Sequence, residues 1–216
     1  MTTRSELIIL NLTKIKDSAA VIHTLSREFG RRSFIISTGG NGRMSAYLPL
    51  SIVEAEIVEN RKSDLWRARN VTPLHPLFGI RDNIYKNSMT LFMSEVLFRT
   101  LGDGAMEEGL FEWCRNSILT LDAMDSDFSN FHLRFLLELA GALGFAPSPE
   151  DLLPFAERHF QTVKALSEGT LGDAMLIPLN GESRNEIADI LLRYLSYHSE
   201  SAINVRSLKV LRDLFA

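Results

Sequence analysis

The sequence predicts an α+β protein in which a five-stranded β-barrel precedes an all-helical domain. Three observations predict it. Apolar residues alternate with polar ones through the first 72 residues and recur at helical spacing afterwards. The stretch Pro73-Leu74-His75-Pro76 punctuates the change. Charge divides at the same place: residues 1–75 hold eleven Lys and Arg against seven Asp and Glu, a net of +4, whereas 76–216 hold twelve against twenty, a net of −8. The expected domains are therefore 1–75 and 76–216.

Five strands are predicted, over 6–12, 20–25, 33–38, 46–58 and 65–71. Turn-forming runs such as Gly39-Gly40-Asn41-Gly42 and Asn60-Arg61-Lys62-Ser63-Asp64 separate them. The fourth is too long for one flat face. Leu48, Leu50 and Ile52 share one phase, and Val53, Ala55 and Ile57 share the other. That flip predicts a bulge or a sharp coil, with Pro49 at an edge position. A bent strand that serves both ends of a small sheet is what a closed barrel needs.

Helices follow. Leu110, Phe111, Cys114, Ile118 and Leu121 form one stripe within 109–121. Residues 131–145 are apolar almost all round, which predicts a buried central helix. Ser183-Arg184-Asn185-Glu186 has the capping-box pattern and predicts the start of a helix carrying Ile187, Ile190, Leu191, Tyr194 and Leu195. Leu208, Leu211, Leu214 and Phe215 predict a short amphipathic helix at the end. Pro147, Pro149, Pro154 and Pro178 interrupt 146–179, where irregular connections around one helix are expected. No internal repeat or low-complexity tract occurs.

Composition narrows the function classes. The chain is 45% hydrophobic and 23% charged, ordinary for a globular protein. No stretch approaches a membrane span, and the Arg4–Glu6 start does not read as a leader, so a cytoplasmic protein without a membrane partner is expected. The single cysteine, Cys114, sits at an apolar helical position and reads as core. Gly39-Gly40-Asn41-Gly42 lacks the Gly-Lys-Ser/Thr of a phosphate loop and reads as a hairpin turn. Asp122, Asp125 and Asp127 lack the spacing and distal Glu of a calcium loop. The five histidines show no metal-type pairing, although His132 near Asp125 and Asp127 is suggestive. No nucleophile with a base can be assembled, so no enzyme, metal or cofactor is expected.

Several stretches in order resemble the RecO family of recombination mediators. Thr24-Leu25-Ser26-Arg27-Glu28-Phe29-Gly30 resembles its T-x-x-x-G strand end, and Leu91-Phe92-Met93-Ser94-Glu95-Val96-Leu97 its Y-x-x-E-L-L helix. Phe131-His132-Leu133-Arg134-Phe135-Leu136-Leu137, followed by Leu143-Gly144-Phe145-Ala146-Pro147, resembles F-x-L-R-x-L-L with its G-Y-x-P exit. Ser207-Leu208-Lys209-Val210-Leu211 and Phe215 resemble the closing helix. The resemblance spans nearly the whole chain. It implies an OB-fold barrel at the front and a non-enzymatic DNA repair and recombination mediator, cytoplasmic and nucleoid-associated. Such a protein binds single- and double-stranded DNA, anneals strands, works with RecR and the C-terminal tail of single-stranded DNA-binding protein, and helps load RecA. Many members carry a four-cysteine zinc site, absent here, so the zinc-free branch is the match. The family's Lys- and Arg-rich loop between strands three and four corresponds to Thr38–Ser45, which holds one cation, Arg43.

Within that frame the candidate nucleic-acid contacts are Lys14, Lys16, Arg27, Arg31, Arg32, Arg43, Arg61, Lys62, Arg67 and Arg69. Lys14 and Lys16 follow the first strand, and Arg61 and Lys62 precede the fifth; these loops flank the oligonucleotide groove of OB-folds. Arg67 and Arg69, two apart on a strand, share one face, and Trp66 and Ala68 share the other. The same cations can equally form a solvated polar face. Tyr47 is the best base-stacking candidate, and Trp66 reads as core. In the helical domain, Arg134 sits among apolar residues and needs an anionic or carbonyl partner. Two readings stay open. It can rim a pocket with Lys209 and Arg212 for the acidic, apolar tail, or it can pair with Glu138, one turn on. An alternative for the whole chain is a protein-interaction adaptor whose barrel meets DNA only within a complex.

Overall fold

The computed structural model describes residues 2–38, 44–60, 63, 65–199 and 202–215. Five strands, β1 (Thr2–Lys16), β2 (Ala19–Ser26), β3 (Gly30–Ser37), β4 (Ile52–Val58) and β5 (Trp66–Pro73), close into a barrel in the order β1-β2-β3-β5-β4. Neighbours run antiparallel except β3 and β5, which run parallel. A small five-stranded barrel of this kind is an OB-fold. Its interior is filled by Leu7, Ile9, Ala20, Ile22, Phe34, Ile36, Val53, Ala55, Ile57 and Ala68, each the inward member of an alternating pair.

The bent strand lies elsewhere than expected. β1 spans fifteen residues and pairs with β4 along Thr2–Ile8, then with β2 from Leu7 to Lys16. Register shifts between Ile9 and Asn11 and between Lys14 and Lys16 supply the extra twist. The segment 46–51, read as strand, is not one. Met44–Tyr47 forms a 3-10 turn, Leu50 takes φ 57, and β4 begins at Ile52. The alternation through Leu48 and Leu50 belongs to this turn: Leu48 is exposed, while Leu50 is buried and donates its N–H to Ile9 O at 2.8 Å. Tyr47 packs against the barrel core, and burial raises its phenol above the ordinary range. The turn predicted at Gly39-Gly40-Asn41-Gly42 lies outside the described residues.

The chain divides into two compact units, one of residues 1–78 and 101–118, the other of 79–100 and 119–216. In the first, the segment after residue 101 docks on the start of β3. Arg31 N–H donates to Ala105 O, and Gly104 N–H donates to Arg31 O, each at 2.8 Å. Gly30, at φ +62, permits this approach, since a Cβ there would lie 2.3 Å from Ala105 O.

Nine α-helices occur among the described residues: α1 (Phe78–Arg81), α2 (Ile84–Thr100), α3 (Leu110–Ala123), α4 (Phe131–Ala142), α5 (Pro149–Ala156), α6 (Phe160–Glu168), α7 (Leu171–Leu176), α8 (Gly181–His198) and α9 (Ser207–Leu214). In the second unit α4 packs on α8, and α2 on α9. Cys114, Ile118 and Leu121 are fully buried along α3, as their stripe predicts.

Two expectations need correction. α8 begins three residues before the predicted box: Asn180 is the cap, its side chain accepting from Ser183 N–H at 2.8 Å. The Ser183–Glu186 pattern is the helix's first turns, and Glu186 turns outward to other partners. The proline-rich stretch 146–179 holds three helices. Pro149 occupies the first turn of α5, where a missing N–H costs nothing, under a capping box of Ser148 and Asp151. Thr170 and Asp173 repeat the device at α7. Of the prolines that read as interruptions, Pro149 starts α5 and Pro154 lies within it.

Candidate nucleic-acid interface

Strand alternation and register place the barrel's cations. On β1, β2 and β3 the outward side chains form rows. One row is Asn11, His23 and Ser33; the next is Thr13, Val21, Ile35 and, on β5, Arg67; the third is Lys16, Ala19 and Ser37. Arg67 and Arg69 point outward and are exposed, while Ala68 is buried and Trp66 packs inward on the core. Lys16 stands further along β1 than Thr13, and Arg67 on β5 pairs directly with Ile35 of β3. Lys16, Arg67 and Arg69 have no ion pair among the described residues.

The other candidates are distributed differently. Lys14 is exposed and pairs with Asp17 at 3.4 Å. Arg27 is neutralised: it donates to Glu6 at 2.5 and 2.8 Å, bonds Glu112, and covers the Phe111 ring. Arg31 is 4% exposed, with Asp103 at 3.5 Å; burial pulls its pKa down. Arg32 lies over the Trp66 ring at 3.6 Å, and Phe29 meets the same ring edge-on at 5.3 Å. Arg43, Arg61 and Lys62 lie outside the described residues. The structure thus leaves Lys16 on β1 and Arg67 and Arg69 on β5 exposed, and ties Arg27 and Arg31 to acidic partners. Sequence reading missed the second effect because Asp103 and Glu112 are remote in the chain.

The same face carries a polar cluster that the sequence reading passed over. His23 Nδ1 is 2.8 Å from Ser33 Oγ, and its Nε2 is 3.1 Å from Thr13 Oγ1. Arg31 donates to Ser33 Oγ at 3.4 Å. Burial, then the charge of Arg31, hold the imidazole below its ordinary range, with Asp103 opposing. His23 is thus neutral near pH 7.

In the helical unit Arg134 finds internal partners. It bonds Glu138 at 2.7 Å and donates to the carbonyls of Leu166, Ser167 and Gly169 at 2.6–3.1 Å, closing the end of α6. Arg212 pairs with Asp189 at 2.5 Å, and Lys209 is exposed on the same short helix. Asp189 and Leu208 line a cavity of about 1040 Å³ with Phe155, Ile190, Ile203 and Arg193. Glu186, also in the lining, is held below the usual carboxylate range by hydrogen bonding from His159 at 2.5 Å and by Arg158. None of the hydrogen-bond partners of Arg134 given above lines the cavity.

The acidic loop proves structural. Asp122 accepts from Ile80 N–H at 2.9 Å, and the buried Lys86 ammonium donates to the carbonyls of Asp122 and Met124 at the end of α3. His132 is buried against Phe92 and Phe215. Among the described residues no three His, Cys, Asp or Glu side chains are grouped to hold a metal ion, and no helix is long and apolar enough to cross a membrane.

A closed OB barrel with exposed cations on β1 and β5, in a chain that continues as helices, defines the class: an OB-fold protein with an appended all-α unit. Residues 81–151 match the family described as Recombination protein O C terminal. Along its length the chain is similar to proteins named DNA repair protein RecO. It is 28% identical to that of Phocaeicola vulgatus, with 97% of each chain covered, and 27% identical to that of Flavobacterium johnsoniae, with both covered in full. The relative from Flavobacterium psychrophilum is 25% identical, again over the whole of both. The particular family it resembles, over its whole length, is that of the RecO DNA repair proteins.

Proposed function

We propose that this protein is a non-enzymatic recombination mediator in the cytoplasm. It binds single- and double-stranded DNA on the outward face of β1, β2, β3 and β5, anneals complementary strands and, with RecR, helps load RecA onto strands coated by single-stranded DNA-binding protein. The observation that carries this reading is the set of exposed cations without ion pairs among the described residues, Lys16 on β1 and Arg67 and Arg69 on β5. Phosphates need such cations, and Arg adds forked donors. Fluorescence anisotropy with a labelled oligonucleotide over a salt series tests it. Each lost phosphate contact removes about 0.7 from the slope of log affinity against log salt for a single strand. Replacing Lys16, Arg67 and Arg69 by Ala should flatten the slope by up to about 2. An unchanged slope would refute the assignment.

For the tail of single-stranded DNA-binding protein, the cavity beside α8 offers apolar lining from Phe155, Ile190, Ile203 and Leu208 with Arg193 among them, while Arg158 pairs with Glu186 and Arg212 with Asp189. Lys209 shares the helix of Leu208. A labelled tail peptide should bind the protein and lose affinity on Arg193→Ala.

One observation favours the adaptor reading. Two barrel arginines, Arg27 and Arg31, are neutralised by carboxylates, which thins the positive field. If the adaptor reading holds, the isolated chain shows no anisotropy change at low salt and gains one when RecR is added.

A further inference from the structure

The exposed cations leave the middle of the outward face unexplained. There His23 is clasped between Thr13 and Ser33, with Arg31 beneath Ser33. Beside this cluster lie the half-buried Val21 and Ile35, and flanking them are Lys16, further along β1, and Arg67, paired with Ile35 from β5. A neutral imidazole with two hydroxyls has no charge to offer a phosphate. It offers hydrogen bonds of both senses, because a hydroxyl rotates to donate or accept and retains capacity after one bond. Val21 and Ile35 add apolar surface of the kind a base face covers. A strand laid across this face with its phosphates on those flanking cations has its bases over the cluster.

We propose that His23, Thr13 and Ser33 contact the bases of single-stranded DNA, while the flanking cations hold its phosphates. Thr13 and Ser33 make the direct contacts with His23, which also positions both hydroxyls. This rests on the barrel face being the DNA-binding face. Because rotating hydroxyls suit either sense of hydrogen bond, the contact is tolerant of base identity. In a duplex the pairing edges are already used, so the cluster acts on single strands.

The test compares an ordinary labelled oligonucleotide, an abasic strand of equal length and a duplex, by anisotropy at fixed salt. The wild-type protein should bind the base-bearing strand roughly three- to tenfold more tightly than the abasic one, the range of one net hydrogen bond. The Thr13→Val, Ser33→Ala double variant should abolish that preference while leaving the salt slope and duplex affinity unchanged. His23→Gln, which keeps a neutral hydrogen-bonding side chain, should retain part of the preference, and thermal melts identify any variant that has lost its fold. Equal wild-type affinity for base-bearing and abasic strands would overturn the proposal while leaving the phosphate reading intact. So would a double variant that folds and keeps the full preference. Absence of binding to all three probes would overturn the phosphate reading itself.

Discussion

Acid should destabilise this protein through one residue of the helical unit. His132 lies 2% exposed between Phe92 and Phe215, ring centroids 6.0 and 6.3 Å away. Burial foremost, then the charge of Arg184, push its pKa down to about 3, against a weaker opposing hydrogen bond at Ser129. The unfolded chain takes up a proton near pH 6.5, whereas the folded chain refuses it until far lower pH. Stability is therefore fully present above pH 6.5 and falls as pH drops toward 3, by about 1.36 kcal/mol per pH unit. Between pH 7 and 4.5 this one group costs about 2.7 kcal/mol. Carboxylates titrate in the same range, so the quantity to measure is a difference. Urea unfolding from pH 4.5 to 7.5, for the wild type and for His132→Phe, isolates it. The wild-type curve should fall away from the variant's with the slope of one proton. Parallel curves across that interval would refute the reasoning.

Two further outcomes follow from the packing. Gly30→Ala drives a Cβ against Ala105 O and forces a residue with a side chain into φ +62, so it should lower stability in urea unfolding by roughly 2–3 kcal/mol. Arg134→Met keeps the apolar stem but strips three carbonyls and Glu138 of their donor; a loss of about 2–4 kcal/mol, with faster hydrogen exchange near residues 166–169, is expected.

Much of the architecture could be read from the chain, because periodicity is a local property. Alternation announced the barrel strands, the 3.6-residue stripe announced α3, and the i, i+2 spacing of Arg67 and Arg69 placed them on one face. Cys114 was legible as core for the same reason. Tertiary closure decided the rest. Whether β1 or the stretch before β4 would bend depended on which strand pairs with two neighbours. Whether Arg27 and Arg31 would stay available depended on Glu112 and Asp103, brought close by the segment that docks on β3. The His23, Thr13 and Ser33 cluster exists because three strands align in one register. Sequence alone determined which way side chains face along each element; only folding decided which distant side chains meet, since that rests on pairings no local pattern encodes.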